Sequence, residues 1–215
     1  CPYHAWTYTL NGQLIGAPYM RDNFDKRDCH LPQFAVEEWL GWVYVNLDPS
    51  AQPLTPRLAP LTELLANYDV ASYRTLFRVD EIWDTNWKIL FQNFMEPYHL
   101  FAVHSRTVEP VLPTQHAHVI TGGPGYCLYT QGRNSGVAFE YSEAMANPNP
   151  KLTEDEVNSV PLFGAFPAQM ASVSAERTFW MSLMPIETDK VRVFWGVDVH
   201  PDAMPQGAEF DERVD

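Results

Sequence analysis

At 215 residues the chain is longer than one typical domain and short of two full ones, so it holds one large or two small folding units. Hydrophobic residues make up 46% and charged residues 19%, the balance of a packed globule, which excludes disorder and collagen-like repeats. Fourteen basic against 27 acidic side chains give a net charge of −13, so there is no broad basic face for nucleic acid or anionic lipid; no apolar run reaches the roughly 18 residues of a membrane span.

The chain begins in β-structure. Trp6–Leu10 and Gln13–Ile15 are strand-like and flank Asn11-Gly12, a hairpin signal whose two-residue form needs positive φ at both turn residues. A further strand is expected at Gly41–Leu47. Asp48-Pro49, Pro53, Pro56 and Pro60 then crowd together, which reads as a linker because proline disfavours helix interiors and central strands. Beyond it, Leu61–Tyr68 reads as a short helix and Ser72–Trp83 as an alternating strand.

Trp87, Leu90, Phe91, Phe94, Met95 and Tyr98 then recur with helical period, and Asp84 or Thr85 can cap the helix they define. Pro97 should kink or stop that helix between Asn93 and Pro97. Strands follow at Tyr126–Thr130, Arg177–Met184 and Val191–Val199, the last two joined by a hairpin loop at Glu187-Thr188-Asp189-Lys190. Ala144–Gln169 is rich in Pro and Asn and reads as irregular, with a capping box at Thr153–Glu156 starting one short helix.

Two constellations can carry chemistry. Cys1-Pro2-Tyr3-His4-Ala5-Trp6 sets a thiol and an imidazole three positions apart before the first hairpin, so one tight loop can present both to a metal; alone it fits a zinc half-site as well as a redox centre. The second is Asn93-Phe94-Met95-Glu96-Pro97-Tyr98-His99, followed by His104. On an unbroken helix His99 and His104 would sit roughly 140° apart, so they converge only where the backbone is irregular; Glu96 and His99, at i and i+3, face one way. Both imidazoles also fit plain hydrogen-bonded core or surface roles. His-Glu-x-x-His, Gly-x-Ser-x-Gly and phosphate-cradling loops are absent.

Together, the two motifs in this order resemble the α (terminal oxygenase) subunit of the Rieske non-haem iron oxygenases, the aromatic-ring-hydroxylating family. The first is similar to the second ligand pair of a Rieske [2Fe–2S] domain, the second to the family's mononuclear-iron motif, and the strand pair beginning Pro185-Ile186-Glu187 fits as well. The resemblance implies an α+β chain: the end of an all-β Rieske domain (1–50), a linker and short helix (51–72), and a helix-grip catalytic domain with an antiparallel sheet (73–215), all part of a longer protein.

It further implies that Cys1 and His4 bind the [2Fe–2S] cluster and that His99 and His104 bind mononuclear Fe(II), with the third, carboxylate ligand beyond Asp215 rather than at Asp211, Glu212 or Asp215. Asn93 matches a position beside the iron. Glu96 stands where the family usually has Asp, linking a mononuclear-site histidine to a cluster histidine of the neighbouring subunit. Glu at this place also occurs in members acting on quaternary ammonium compounds.

The expected activity is O2-dependent hydroxylation of an aromatic substrate, with electrons from NAD(P)H delivered by a reductase or ferredoxin. The alternatives are a monooxygenase or demethylase of choline, betaine or carnitine type, and an iron-free helix-grip ligand-binding protein. A trimer-based homo-oligomer, with or without a β subunit, is implied, with no nucleic acid or membrane partner; three scattered cysteines (Cys1, Cys29, Cys127) fit a cytoplasmic location. Cys29 and Cys127 are read as inert thiols, and His30, His116, His118 and His200 belong to no motif. Phe163, Phe166, Met170, Trp180 and Trp195 are candidates for a substrate cavity or a plain core.

Overall fold

A computed structural model of the chain describes residues 1–134, 137 and 149–203. It divides into two compact units, Cys1–Glu38 with Val43–Pro53, and Trp39–Trp42 with Leu54–Asp215. Among the described residues no helix is long and apolar enough to cross a membrane.

The smaller unit is built of short antiparallel pairs. Strands β1 (Thr7–Tyr8) and β2 (Leu14–Gly16) pair across the predicted hairpin. The loop between them is longer than the two-residue turn expected at Asn11-Gly12: Thr9 N–H donates to Gln13 O and Gly12 N–H to Thr9 O, and only Gly12, at φ 85°, is left-handed. The second pair, β3 (Ala35–Trp39) and β4 (Trp42–Asn46), whose Trp39–Trp42 end is assigned to the larger unit, has the tight turn: Leu40 and Gly41, at φ 52° and 85°, are the two central residues. The sequence indicates β4 but not its partner, because leucine rarely occupies positive φ.

The proline-rich stretch is irregular as far as Pro53, where the smaller unit ends, and its remaining prolines, Pro56 and Pro60, lie in helical turns of the larger unit. Thr55–Leu58 forms a 3₁₀ turn and α1 (Ala59–Leu64) follows, each with its proline in the first two helical positions, where a missing N–H removes no hydrogen bond. Leu58, Leu61, Leu65 and Tyr68 are almost fully buried. The helix expected to Tyr68 ends at Leu64 and resumes as a 3₁₀ turn over Ala66–Tyr68.

A seven-stranded antiparallel sheet forms the centre. Its strands are β5 (Arg74–Trp83), β6 (Ala117–Gly123), β7 (Tyr126–Gly132), β8 (Ser159–Ala165), β9 (Gln169–Val173), β10 (Arg177–Glu187) and β11 (Lys190–Val199). From β6 to β11 each strand pairs with the next in sequence, and β5 returns to pair with β11. The β10–β11 hairpin turns at Thr188-Asp189, as its sequence suggests, and both strands run slightly longer than expected. β8 lies inside the segment read as irregular. Its Pro161 pairs with Thr130 of β7, whereas pairing to β9 begins only at Leu162, so the missing N–H falls where β8 lacks a second neighbour. The rest of that segment includes α4 (Glu154–Val157), started by the predicted Thr153/Glu156 capping box; residues 144–148 lie outside the described residues.

Strand alternation assigns the two faces. Phe179, Met181 and Leu183 of β10 lie opposite Val197, Trp195 and Val193 of β11, and this face packs on α2 (Trp87–Phe94) through Trp87, Leu90, Phe91 and Phe94. α2 approaches so closely that a Cβ at Gly164 would overlap the Phe91 ring. Asn86, rather than Asp84 or Thr85, caps α2 by accepting from Lys88 N–H at 2.9 Å. Phe163 lies on the opposite face, where the Trp39 and Trp42 rings meet it at 5.4 and 6.3 Å.

Candidate active site

The histidine motif sits where α2 breaks. Met95 N–H closes the last turn onto Phe91 O and Gln92 O, Glu96 precedes a proline, and helical geometry resumes only for α3 (Leu100–Val103). His99 is the residue before α3 and His104 the residue after it, at φ −106° and ψ 26°. The rings of His99 and His104 thereby lie 5.3 Å apart between centroids, at 70° to each other. Two imidazoles binding one metal at about 2.1 Å have centroids no more than roughly 6.5 Å apart, so the pair fits a shared ion.

The Glu96 carboxylate fixes one of these rings. One oxygen accepts from His99 Nδ1 in a short contact and the other accepts Tyr98 N–H at 2.7 Å. With Nδ1 carrying the proton, Nε2 of His99 presents its lone pair. The Tyr129 hydroxyl, on β7, donates to Phe94 O at 3.3 Å and holds the end of α2 to the sheet. Burial, and then the Glu96 charge, push the Tyr129 phenol well above its usual range, so it remains a donor. Downstream, Thr114 Oγ1 accepts Phe101 N–H and donates to Glu109, which ties α3 in place. Asn93 is exposed on the last turn of α2.

Among the described residues no group of three or more His, Cys, Asp or Glu side chains could hold a metal. His99 and His104 are thus two donors, a partial set for the iron chemistry the motif suggests; Asp211, Glu212 and Asp215 lie outside the described residues. In the smaller unit, Cys1 and His4 are both exposed on one turn, with Tyr3 edge-on to His4 at 3.9 Å. That turn presents one thiol and one imidazole, the two donor types a Rieske cluster takes.

A cavity of about 340 Å³ opens between the α2-facing side of the sheet and the chain that follows His104. Phe94 lines it from α2, and Val108 and Leu112 from just after His104; Val108 N–H donates to His104 O at 3.0 Å. The sheet contributes Val160, Leu162, Ser172, Phe179 and Val197, with Ser174, Arg133 and Arg177 at the strand ends. Arg133 and Glu176 form a two-pronged pair at 2.9 and 2.8 Å, and Ser174 Oγ donates to the same carboxylate. Burial pushes the Glu176 carboxyl up, but the hydrogen bonds and charge of Arg133, with Ser174, hold it below its usual value. Burial lowers the Arg177 guanidinium against the opposing pull of Glu176.

None of the five aromatic and methionine residues considered from sequence as cavity wall lines this space. Met170 is core beneath α2, with Trp195 packed against it; Phe163 and Trp180 point to the other face; Phe166 is exposed, its ring near Trp87 and Phe91. The residues that do line it were missed. Alternation along Arg177-Thr178-Phe179 was the available signal, since it puts Arg177 and Phe179 on one face. The remaining histidines stay apart from the site: His200 is buried edge-on to Tyr73, His30 Nδ1 bonds Leu31 O, and His116 and His118 lie at the start of β6. Cys29 and Cys127 are free thiols, and burial raises that of Cys127.

Residues 65–215 match the family model described as ring hydroxylating alpha subunit (catalytic domain). The carnitine monooxygenase oxygenase subunit of Acinetobacter pittii (strain PHEA-2) is 26% identical over 205 residues, covering 93% of this chain and 52% of that protein. The 2-aminobenzenesulfonate 2,3-dioxygenase subunit alpha of Alcaligenes sp is 36% identical over 107 residues, 47% of this chain and 27% of that protein. A solved quaternary ammonium Rieske monooxygenase superposes with a TM-score of 0.78 at 22% identity over 96% of this chain and 54% of that one, which speaks to the fold alone. The chain spans about half the length of the first of these relatives. A family match across most of the larger unit, on a fold shared with a solved Rieske monooxygenase, places this chain in the ring-hydroxylating alpha subunit family of the Rieske oxygenases.

Proposed function

We propose that this chain is part of the terminal oxygenase component of a Rieske-type oxygenase that uses O2 and electrons from NAD(P)H, passed through a reductase, to oxidise a quaternary ammonium compound of carnitine or betaine type. The observation that carries the chemistry is the His99–His104 pair, 5.3 Å apart and braced by Glu96, beside a mostly apolar cavity. For the substrate class, coverage supports this reading: the carnitine monooxygenase subunit aligns with 93% of this chain and the aromatic-sulfonate dioxygenase subunit with 47%. That favours the quaternary ammonium reading over ring hydroxylation, and Glu96 in place of the family's Asp leans the same way.

In this reading His99 and His104 hold iron(II) through nitrogen, with a carboxylate supplied from outside the described residues, and Cys1 and His4 give one sulfur and one nitrogen donor to the Rieske cluster. When bound, the iron activates O2 and the cluster supplies electrons to it. The chain's own residues do the rest. Glu96 keeps the His99 proton on Nδ1, so Nε2 is always the ligating nitrogen, and its carboxylate is available to a cluster histidine of the neighbouring subunit in a homo-oligomer. Asn93, on the turn before the break, matches the family position that would lie beside the metal. The apolar cavity wall excludes water and holds the substrate against the His99–His104 segment.

Glu96→Ala in the full-length protein tests the role of the carboxylate. Iron content and substrate affinity should stay near wild type while product formation falls by about ten- to a hundredfold, the usual scale for losing the group that orients a metal ligand. Activity within about threefold of wild type would sink that role. Iron analysis after anaerobic reconstitution tests the whole reading, because less than about one iron per chain points to a ligand-binding protein instead.

A further inference from the structure

We infer that Gln131, Tyr129 and Thr114 are positioning residues for the histidine pair: they pin the segment carrying His99 and His104 at both ends and so fix the separation of the two imidazoles. The inference rests on the reading of this pair as metal ligands and adds the groups that hold it in register.

The shape of the segment creates the need for such groups. Both histidines flank α3, a helix of only four residues, and the chain runs through turns on either side of it. A helix this short has little stability of its own. Two ligands carried on it must still stay within about 0.5 Å of the geometry a metal requires, which calls for fixed points outside the segment.

β7 supplies two of them. Tyr129 and Gln131 are alternate residues of that strand, so their side chains leave the same face of the sheet roughly 7 Å apart. Register puts Tyr129 level with Leu162 and Phe179, on the cavity side. The Tyr129 hydroxyl donates to Phe94 O before the segment, and Gln131 Nε2 donates to Pro113 O after it. Both side chains are buried. One strand therefore sets the distance between the entry and the exit of the histidine segment. Gln131 is also a poor choice for stability alone. Its Oε1 is enclosed with no donor among the described residues, a penalty that an apolar side chain of similar length avoids. What the amide contributes is its contact with Pro113 O.

Thr114, the next residue, carries this anchor to α3. Its Oγ1 accepts Phe101 N–H at 3.1 Å and donates to Glu109 at 2.6 Å, and its own N–H donates to the same Glu109 oxygen at 3.0 Å. Glu109 N–H in turn donates to His104 O at 3.0 Å. A chain of hydrogen bonds thus runs from the first turn of α3, beside His99, through Thr114 and Glu109 to the backbone of His104. Glu96 orients the His99 ring, whereas these three residues hold the backbone from which both rings project.

The test is Co2+ titration of the full-length protein, with its cluster loaded and oxidised and its mononuclear site emptied by a chelator, read by affinity and by the electron paramagnetic resonance signal of the bound ion. Thr114→Val, which removes both hydroxyl hydrogen bonds at nearly constant size, and Gln131→Met should each weaken Co2+ binding by about tenfold or more and change the line shape, the scale of losing a group that supports a metal ligand. Tyr129→Phe should act in the same direction. Thr114→Ser keeps the hydroxyl and should bind within about threefold of wild type, with the wild-type signal. Wild-type affinity and signal in Thr114→Val and Gln131→Met overturn the proposal, and so does equal loss in Thr114→Ser and Thr114→Val. Should either buried substitution prevent folding, Tyr129→Phe, which deletes a single oxygen, decides in the same way. Weakened binding in the variants with no product from any substrate in wild type keeps the positioning role and removes the oxygenase reading. Product formation by wild type with Co2+ binding indifferent to all three positions does the reverse, and no Co2+ binding by wild type removes both.

Discussion

The same strands make both faces of the central sheet, yet the two faces are finished differently. On the side away from α2, Phe163 is sealed by the Trp39 and Trp42 rings, and Trp39 is locked by an indole N–H to Thr62 Oγ1 hydrogen bond at 2.8 Å. Toward β5 and β11 that face keeps a hollow of about 260 Å³, lined among others by Tyr73, Trp180 and Asp198, whose carboxyl burial raises. On the other side α2 covers Met170, Met181 and Leu183 but ends at Phe94, so the sheet beyond it is left as a cavity wall with two arginines in it. One face buries apolar area for stability, and the other gives up packing where its covering helix breaks. The break that makes the cavity also sets out His99 and His104.

Substitutions on either face should separate these roles. Phe163→Ala opens a cavity in the sealed face and should lower stability by about 3–5 kcal/mol in denaturant unfolding, without changing which ligands bind. A selectivity change there would mean the faces are coupled.

Glu176→Gln strips the enclosed Arg133 of its counter-ion and should cost about 2–4 kcal/mol at neutral pH. The penalty should depend on pH in a defined sense. Glu176 has a folded pKa below the ordinary glutamate value of 4.5, so its stabilisation is fully present above that value and is lost as pH falls through the lower folded pKa. Wild type should therefore lose its advantage over Glu176→Gln in acid, and an advantage growing on acidification would refute the pairing argument. The smallest effect belongs to Arg192→Ala. Its two-pronged pair with Asp80 has a geometry like that of Arg133 and Glu176, but the side chains are 42% and 45% exposed, and no change in unfolding midpoint is expected.

Much of the site's local geometry is legible in the sequence. The period of Trp87, Leu90, Phe91 and Phe94 gives α2 and its buried face, Pro97 gives its end, and Thr153 with Glu156 gives the start of α4. The cap was read one or two residues early because Asp84, Thr85 and Asn86 are all capping types, and only the backbone, with Asn86 extended at ψ 132°, distinguishes them. Leu40-Gly41 was passed over because leucine disfavours the conformation it adopts, and Pro161 hid β8 because proline argues against a central strand. Both exceptions are set by strand pairing rather than by the residues' own preferences: β3–β4 pairing holds the turn, and the short reach of β9 leaves Pro161 without a second partner.

The sequence by itself determined the broken helix, the spacing of Glu96, His99 and His104, and the β10–β11 hairpin. Each depends on steric and hydrogen-bonding rules acting over a few residues. Only the tertiary structure decided which side chains enclose the cavity and which charges meet there. Ser172, Glu176 and Arg177 share the β9–β10 hairpin, but Arg133, just past β7, is joined to them by no local pattern. Their meeting depends on the register of β7 through β10 and on how far α2 extends over them, and these follow from burial summed over the whole sheet.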